Sequence, residues 1–153
     1  MPSAPPTLAD VCGRGAAGRA TAALERAGFQ PGVRLGAKGS GSANLSRCRM
    51  DAPGAEVEVS HDEAPQARRR YFIRVTELAQ FSATNRRLAP RPVDGVGARR
   101  LQGAGANWVP AQRRLISIKG GTFQAVQVYA RGIGDRDLRT AAIEIAREFE
   151  KLP

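Results

Sequence analysis

The sequence predicts an α+β domain, an antiparallel sheet flanked by helices in an α/β/α sandwich. Three observations carry this expectation. Apolar residues recur at helical spacing near the start, in the middle and at the end of the chain. Turn signals at Asp51-Ala-Pro-Gly54 and Gly120-Gly121 each separate two runs that read as strands. The resulting order is helix, hairpin, helix, irregular segment, further strands, helix, and such strands bury one face only when helices cover them. The 153 residues, 42% of them hydrophobic and 5% aromatic, suit one domain with one core built mainly from Val, Leu, Ile and Ala. Residues 1–7 read as linker and residues 8–153 as that domain.

Along the chain, Leu8, Val11, Cys12, Ala16, Ala20, Ala23, Leu24 and Ala27 form the first helical stripe, and Gly28 stops it at the C′ position. Gly13, Gly15 and Gly18 weaken its early turns and allow a break near Gly13–Gly15. Gly36–Ala43 reads as a mobile loop. Leu45–Met50 and Ala55–Ser60 form a hairpin. A four-residue loop would place Met50 opposite Ala55, Cys48 opposite Val57 and Ser46 opposite Val59, with Arg49 facing Glu56 and Arg47 facing Glu58. One face is then apolar and holds Cys48, at a core position that the first helix can reach with Cys12; the other is charged.

Pro65 suits the first turn of a second helix, whose stripe is Ala67, Tyr71, Phe72, Val75, Leu78 and Ala79. Residues 81–107 are irregular, with a short strand expected near Arg99–Leu101. Trp108-Val-Pro110 opens the next strand, and Leu115–Lys119 and Thr122–Ala130 flank Gly120-Gly121. The last helix is capped by Asp135 and Asp137 and carries Leu138, Ala141, Ala142, Ile145, Phe149 and Leu152 on one stripe.

The charge is uneven. The chain has 24 basic and 14 acidic residues, a net +10, and only Lys38, Lys119 and Lys151 among the cations are lysines. The excess is +1 over residues 1–62, +10 over 63–131 and −1 over 132–153, so it is a feature of the middle of the chain. The candidate positions for an anion- or partner-binding face are Arg86, Arg87, Arg99, Arg100, Arg113 and Arg114, with Trp108 between them as a candidate cleft wall. Arg68-Arg-Arg70 fans around more than half of a helix and makes no single stripe. A solvated, arginine-rich surface is the plainer reading of all these residues.

Cys12 and Cys48 are the only cysteines and His61 the only histidine. That set is too small for an ordinary zinc site. It leaves two buried thiols or one disulfide, and an exported setting favours the bond. No apolar run approaches the roughly 18 residues needed to cross a bilayer. Met1-Pro-Ser-Ala-Pro-Pro6 reads as the end of a flexible linker behind a start methionine, so a signal or lipid-anchor segment is expected to precede it.

Five features together resemble the small envelope lipoproteins of actinobacteria, a family of unknown function. They are Cys12 on an early helix, Arg47-Cys48-Arg49 on a strand, Val93-Asp-Gly-Val-Gly97, Trp108-Val-Pro110 with Leu115-Ile-Ser-Ile-Lys-Gly120, and the Ala-rich terminal helix from Ala141 to Leu152. The resemblance spans roughly residues 8–152. It implies an exported, membrane-tethered domain, a Cys12–Cys48 disulfide and a sandwich of the Mog1/PsbP type, and it brings no catalytic residues. Ala98 stands where an acidic residue is expected, and Arg49 where an aromatic often follows the second cysteine.

Chemistry is sparse. His61, between Ser60 and Asp62 at a strand end, reads as solvated, and no Gly-x-Ser-x-Gly elbow occurs. Gly95-Val-Gly97, Gly103-Ala-Gly105 and Gly132-Ile-Gly134 lack the third glycine of a dinucleotide loop and read as turns. No cofactor or metal is expected. The function read from this is an extracytoplasmic, non-catalytic interaction module of a cell-envelope lipoprotein that modulates a signalling or transport system. Its partner would be an envelope protein or an anionic envelope component, with membrane contact through a lipid anchor. The alternatives are a basic nucleic-acid-binding protein, permitted by a pI near 11.1, and a small-ligand or anionic-lipid binder.

Overall fold

The computed structural model describes residues 8, 12–30, 35–41, 44–98, 101 and 104–150. The expected linker at 1–7, Val11, Arg99, Arg100 and Leu152 lie outside the described residues. A single π turn, Cys12–Ala16, leads into α1 (Ala17–Arg26). The glycine-weakened start acts there, because Gly15 takes φ +82°, a left-handed conformation open to glycine. At the other end Gly28 (φ +105°) and Phe29 donate to the carbonyls of Glu25 and Leu24 at 3.0 and 2.9 Å. That pair of bonds is the Schellman stop expected at C′.

The stretch read as a mobile loop is instead an edge strand, β1 (Gly36–Gly41), fully exposed and paired with β2 (Leu45–Ala52) from Gly36↔Asp51 to Gly41↔Ser46. Pairing uses backbone groups only, so a strand with almost no side chains leaves no alternating pattern to read. β3 (Ala55–Asp62) pairs with β2 in a register two residues tighter than a four-residue loop would set. Cys48 faces Val59, Met50 faces Val57, Arg49 faces Glu58, and only Pro53-Gly54 turns the chain, with Gly54 at φ +83°. A slip of two residues leaves every side chain on its expected face, so the polar–apolar alternation does not distinguish the two registers.

α2 (Ala67–Phe81) buries Ala67, Tyr71 and Leu78, with Val75 half-buried. Phe72 and Ala79, which spacing assigns to the stripe, lie exposed, each about 100° around the helix from Tyr71 and Leu78. A 3-10 turn, Arg86–Leu88, follows, then a two-residue strand β4 (Arg91–Pro92) paired with β5 (Ala106–Val109). The strand anticipated near Arg99–Leu101 does not form at Leu101, which sits in a turn. β5 is buried on both faces and ends at Pro110, which opens another 3-10 turn, Pro110–Gln112. β6 (Arg114–Lys119) and β7 (Thr122–Ala130) form the Gly120-Gly121 hairpin as read, and α3 (Asp135–Glu150) buries Leu138, Ala141, Ala142, Ile145, Ala146 and Phe149.

The strands make one antiparallel seven-stranded sheet in the order β1-β2-β3-β7-β6-β5-β4. The late strand β7 docks against β3 from Ala55↔Ala130 to Asp62↔Phe123 and joins the two halves. On one face α1 and α3 cover the main core, which runs from Cys48, Val57 and Val59 through Val126 and Val128 to Leu115 and Trp108. On the other face α2 covers a smaller core of Tyr71, Leu78, Val109, Ile116 and Ile118. The result is three layers with an antiparallel sheet in the middle.

Cys12 and Cys48 form a disulfide inside the main core, 1% and 0% exposed, with Cα atoms 5.5 Å apart and a sequence separation of 36. A loop of that length lowers unfolded-state entropy enough to stabilise the fold by about 3–4 kcal/mol. The Cys12→Ala, Cys48→Ala double variant is expected to lose about that much unfolding free energy in denaturant under oxidising conditions. An unchanged midpoint would show that the crosslink contributes nothing.

Candidate functional site

The site candidates follow from which half of each sheet face is covered. α2 lies over β5, β6 and the start of β7, and leaves β1, β2, β3 and the end of β7 open on its side. Alternation places Lys38, Arg49, Glu58, Gln127 and Arg114 in one row across that open area, because each is the register partner of the next. Arg47 lies in the neighbouring row, opposite Ser40 and Ser60.

Arg114 is half-buried, and its Nη2 donates to Gln127 Oε1 at 3.1 Å. Burial lowers its affinity for the proton. Glu58 works in the opposite direction, while the like charges of Arg74 and Arg47 add to the lowering. Arg113 takes the left-handed conformation, φ +49°, at the end of the Pro110–Gln112 turn, with its guanidinium 4.9 Å from the ring centre of Tyr129. Glu56, Glu58, Arg113, Gln127 and Tyr129 line a recess of about 260 Å³. Glu56 is committed to Arg49 at 3.1 Å, and Arg49 also reaches Asp51 at 3.8 Å.

The turn with Arg86 and Arg87 packs against the Pro110–Gln112 turn, so the structure brings these two exposed arginines close to Arg113 and Arg114. Arg99 and Arg100 lie outside the described residues. Trp108 is not part of any open face: it is 0% exposed, on the opposite side of the sheet, and its Nε1–H donates to Asp135 Oδ1 at 3.1 Å. β5 is covered on both sides, which leaves no cleft for that ring to line.

Sequence reasoning passes over the outer side of α2. Arg70 is held by Asp62 at 2.8 and 3.1 Å, and Arg74 lies 3.7 Å from Glu77. Arg68 lies 5.6 Å from the Phe72 ring centre, and no carboxylate among the described residues is within ion-pair distance of Arg68, Arg69, Arg86 or Arg87. α2 carries four arginines against Glu77 alone, whereas α3, on the opposite face, carries Asp135, Asp137, Glu144, Glu148 and Glu150 against three arginines. α1 adds Arg19 and Arg26 against Glu25 to the α3 side, so that face comes close to neutral while α2 keeps a net positive charge. The available signal was the basic excess over residues 63–131; what it lacked was a partition between faces.

A second polar site lies on the α1/α3 side. His61, expected to be solvated, is 5% exposed. It pairs across the sheet with Gln124, and its Nε2 lies 2.5 Å from Gln124 Oε1; Gln124 in turn donates to the Ala146 carbonyl at 3.1 Å. β3 is an inner strand and α3 closes over it, so a position near a strand end is still interior. These residues, with Ser117, Lys119, Phe149 and Glu150, border a cleft of about 300 Å³. Gln124 stands between His61 and Ser117, two strands apart at roughly 10 Å, beyond hydrogen-bond reach. An amide bound to His61 orients the ring without exchanging a proton with it. Among the described residues no group of three metal-binding side chains converges, and no helix is long and apolar enough to cross a membrane.

Comparison with protein-family models, curated proteins and solved structures finds no match for this chain. The disulfide marks an oxidising environment of the kind found outside the cytoplasm.

Burial holds the His61 imidazole below its usual pKa, against a smaller upward pull from Gln124. The unfolded chain takes up this proton near pH 6.5 and the folded chain only at lower pH, so the neutral ring's contribution is complete above about 6.5 and is lost as pH falls below it. His61→Gln is expected to show a shallower fall in melting temperature than the parent between about pH 7 and pH 5. Parallel curves would mean that His61 is not the group responsible.

Proposed function

We propose that this protein is an extracytoplasmic, non-catalytic interaction module of the envelope-lipoprotein kind, which works by docking its α2 side onto an anionic component of the cell envelope. The observation that carries the reading is the concentration of positive charge on the α2 side. It holds Arg68, Arg69, Arg86 and Arg87, without carboxylate partners among the described residues, whereas the charges of α1 and α3 on the other face nearly balance. Such a concentration orients the molecule in the field of an anionic surface. Arg113 and Arg114 extend the same side across the open sheet, with Arg114 half-buried beside Glu58, Arg74 and Arg47.

The buried disulfide supports the placement outside the cytoplasm, and the combination of Cys12, Cys48 and the downstream motifs supports the lipoprotein reading. Docking also suits the fixed polar groups of the sheet, since His61 and Gln124 satisfy each other and act as structure. Modulation of a signalling or transport complex is the role such a module would play.

The test is binding of labelled poly-L-glutamate or dextran sulfate by the full chain at low salt. Arg68, Arg69, Arg86 and Arg87, all changed to Glu, should weaken binding by about two orders of magnitude, while Arg136→Glu with Arg139→Glu on α3 should change it little. Equal losses from the two sets would remove the directional reading. Tighter binding to duplex DNA than to either polyanion, with a steep salt dependence, would establish the nucleic-acid alternative instead.

A further inference from the structure

The apolar residues of α2 fall on both sides of the helix. Tyr71 and Leu78 face the sheet, but Phe72, Ile73 and Phe81 stand in solvent at 36%, 45% and 59% exposure, among the few large hydrophobic side chains exposed on the described surface. Phe72 and Ile73, with Pro65, Arg68, Arg69, Thr76 and Glu77, line an open depression of about 630 Å³ on the outer side of the helix, and Glu77 lies 3.7 Å from Arg74. Phe81, nine residues and so about 180° around the helix from Phe72, lies off this face. In sequence Arg68-Arg69 precede the exposed apolar pair Phe72 and Ile73, and Arg86-Arg87 follow the helix.

We propose that this outer face of α2 is a docking surface for an anionic lipid bilayer, with the helix lying along the membrane plane. The inference rests on the reading of an α2 side that binds anions and names what it binds. A helix of 15 residues, about 22 Å long, presents a line rather than a pocket. Its outer groups come in the two kinds that a bilayer interface supplies at two depths, phosphates for the guanidinium groups and the acyl boundary for Phe72 and Ile73. Arg68 stacks on Phe72, so its charge is held above the ring, in the arrangement that leaves a cation at headgroup level while the ring goes deeper. A folded protein partner would call for directional polar groups among the apolar ones, and of those here Thr76 is bonded back to the Phe72 carbonyl and Glu77 is engaged by Arg74.

The experiment is sedimentation of the full chain with vesicles of pure phosphatidylcholine and of phosphatidylcholine with about a third phosphatidylglycerol, alongside the soluble polyanion assay. Phe72→Trp serves as the reporter, since Trp108 is buried and contributes a constant background. The expected results are binding to anionic vesicles only, a blue shift of the introduced indole's emission with quenching by brominated acyl chains, and a loss of at least about tenfold in vesicle affinity for Phe72→Ser with Ile73→Ser at unchanged poly-L-glutamate affinity. Both substitutions are at exposed positions and should leave the melting temperature in place. Vesicle binding undiminished by Phe72→Ser with Ile73→Ser, equal binding to neutral vesicles, or emission that does not move on binding would each overturn the inference. Polyanion binding without vesicle binding would overturn the bilayer and leave the anion-binding side standing; loss of both would take down that reading as well.

Discussion

The covalent link between Cys12 and Cys48 governs the arrangement of the main core. It joins the turn ahead of α1 to the second strand of the sheet, where Cys48 is fully buried beside Met50, Val57 and Val59. α1 is short and alanine-rich: it buries Ala20, Thr21, Ala23 and Leu24, a small apolar area for one helix. Held by the crosslink, it packs beside α3 and completes the cover over β2, β3 and β7. Without a tether, a helix of 10 residues with so little to bury is marginal.

The sheet transmits that constraint to the rest of the molecule. β7 is central: it pairs with β3 along its whole length on one side and with β6 on the other, so the crosslinked half and the half under α2 share one strand. Polar groups trapped near the junctions are bonded. Tyr71 donates to the Ala104 carbonyl at 2.8 Å and accepts from Asn107 at 2.9 Å, and its burial pushes its pKa up to about 12. The Gln124 amide, bound to His61, ties β7 to the last turns of α3. Among the described residues no buried side-chain polar atom lacks a partner, as a settled core requires.

Charge and cover together set apart one side of the molecule. Where α1 and α3 cover the sheet, the α1 arginines meet α3 carboxylates, Arg26 with Glu144 at 2.7 Å and Arg19 with Glu148 at 3.7 Å, and the charges nearly balance. On the α2 side Arg49, Arg70 and Arg74 are paired too, but Arg68, Arg69, Arg86 and Arg87 add four positive charges without carboxylate partners among the described residues. Surface ion pairs of this kind contribute little to stability. The asymmetry therefore bears on what the protein meets rather than on how firmly it folds.

Much of this was legible along the chain. Periodicity located α1, α2 and α3, Gly28 marked its helix end, and Gly120-Gly121 marked its hairpin, because caps, turns and amphipathic spacing are local and a few residues encode them. The order of residues also settled which side chains share a strand face, so Arg47 and Arg49 were separated from Cys48 and Met50 whatever the register. Long-range packing set the rest: the register of β2 on β3, the pairing that turns Gly36–Gly41 into a strand, the insertion of β7 beside β3, and the burial of Trp108 and His61. Period-two alternation is unchanged by a slip of two residues, backbone pairing leaves no mark on side-chain composition, and burial depends on which distant element arrives to cover a face. The same limit hid the outer surface of α2: one helix turn shows Tyr71 and Phe72 as neighbours, and only the docked sheet reveals that the first faces inward and the second outward.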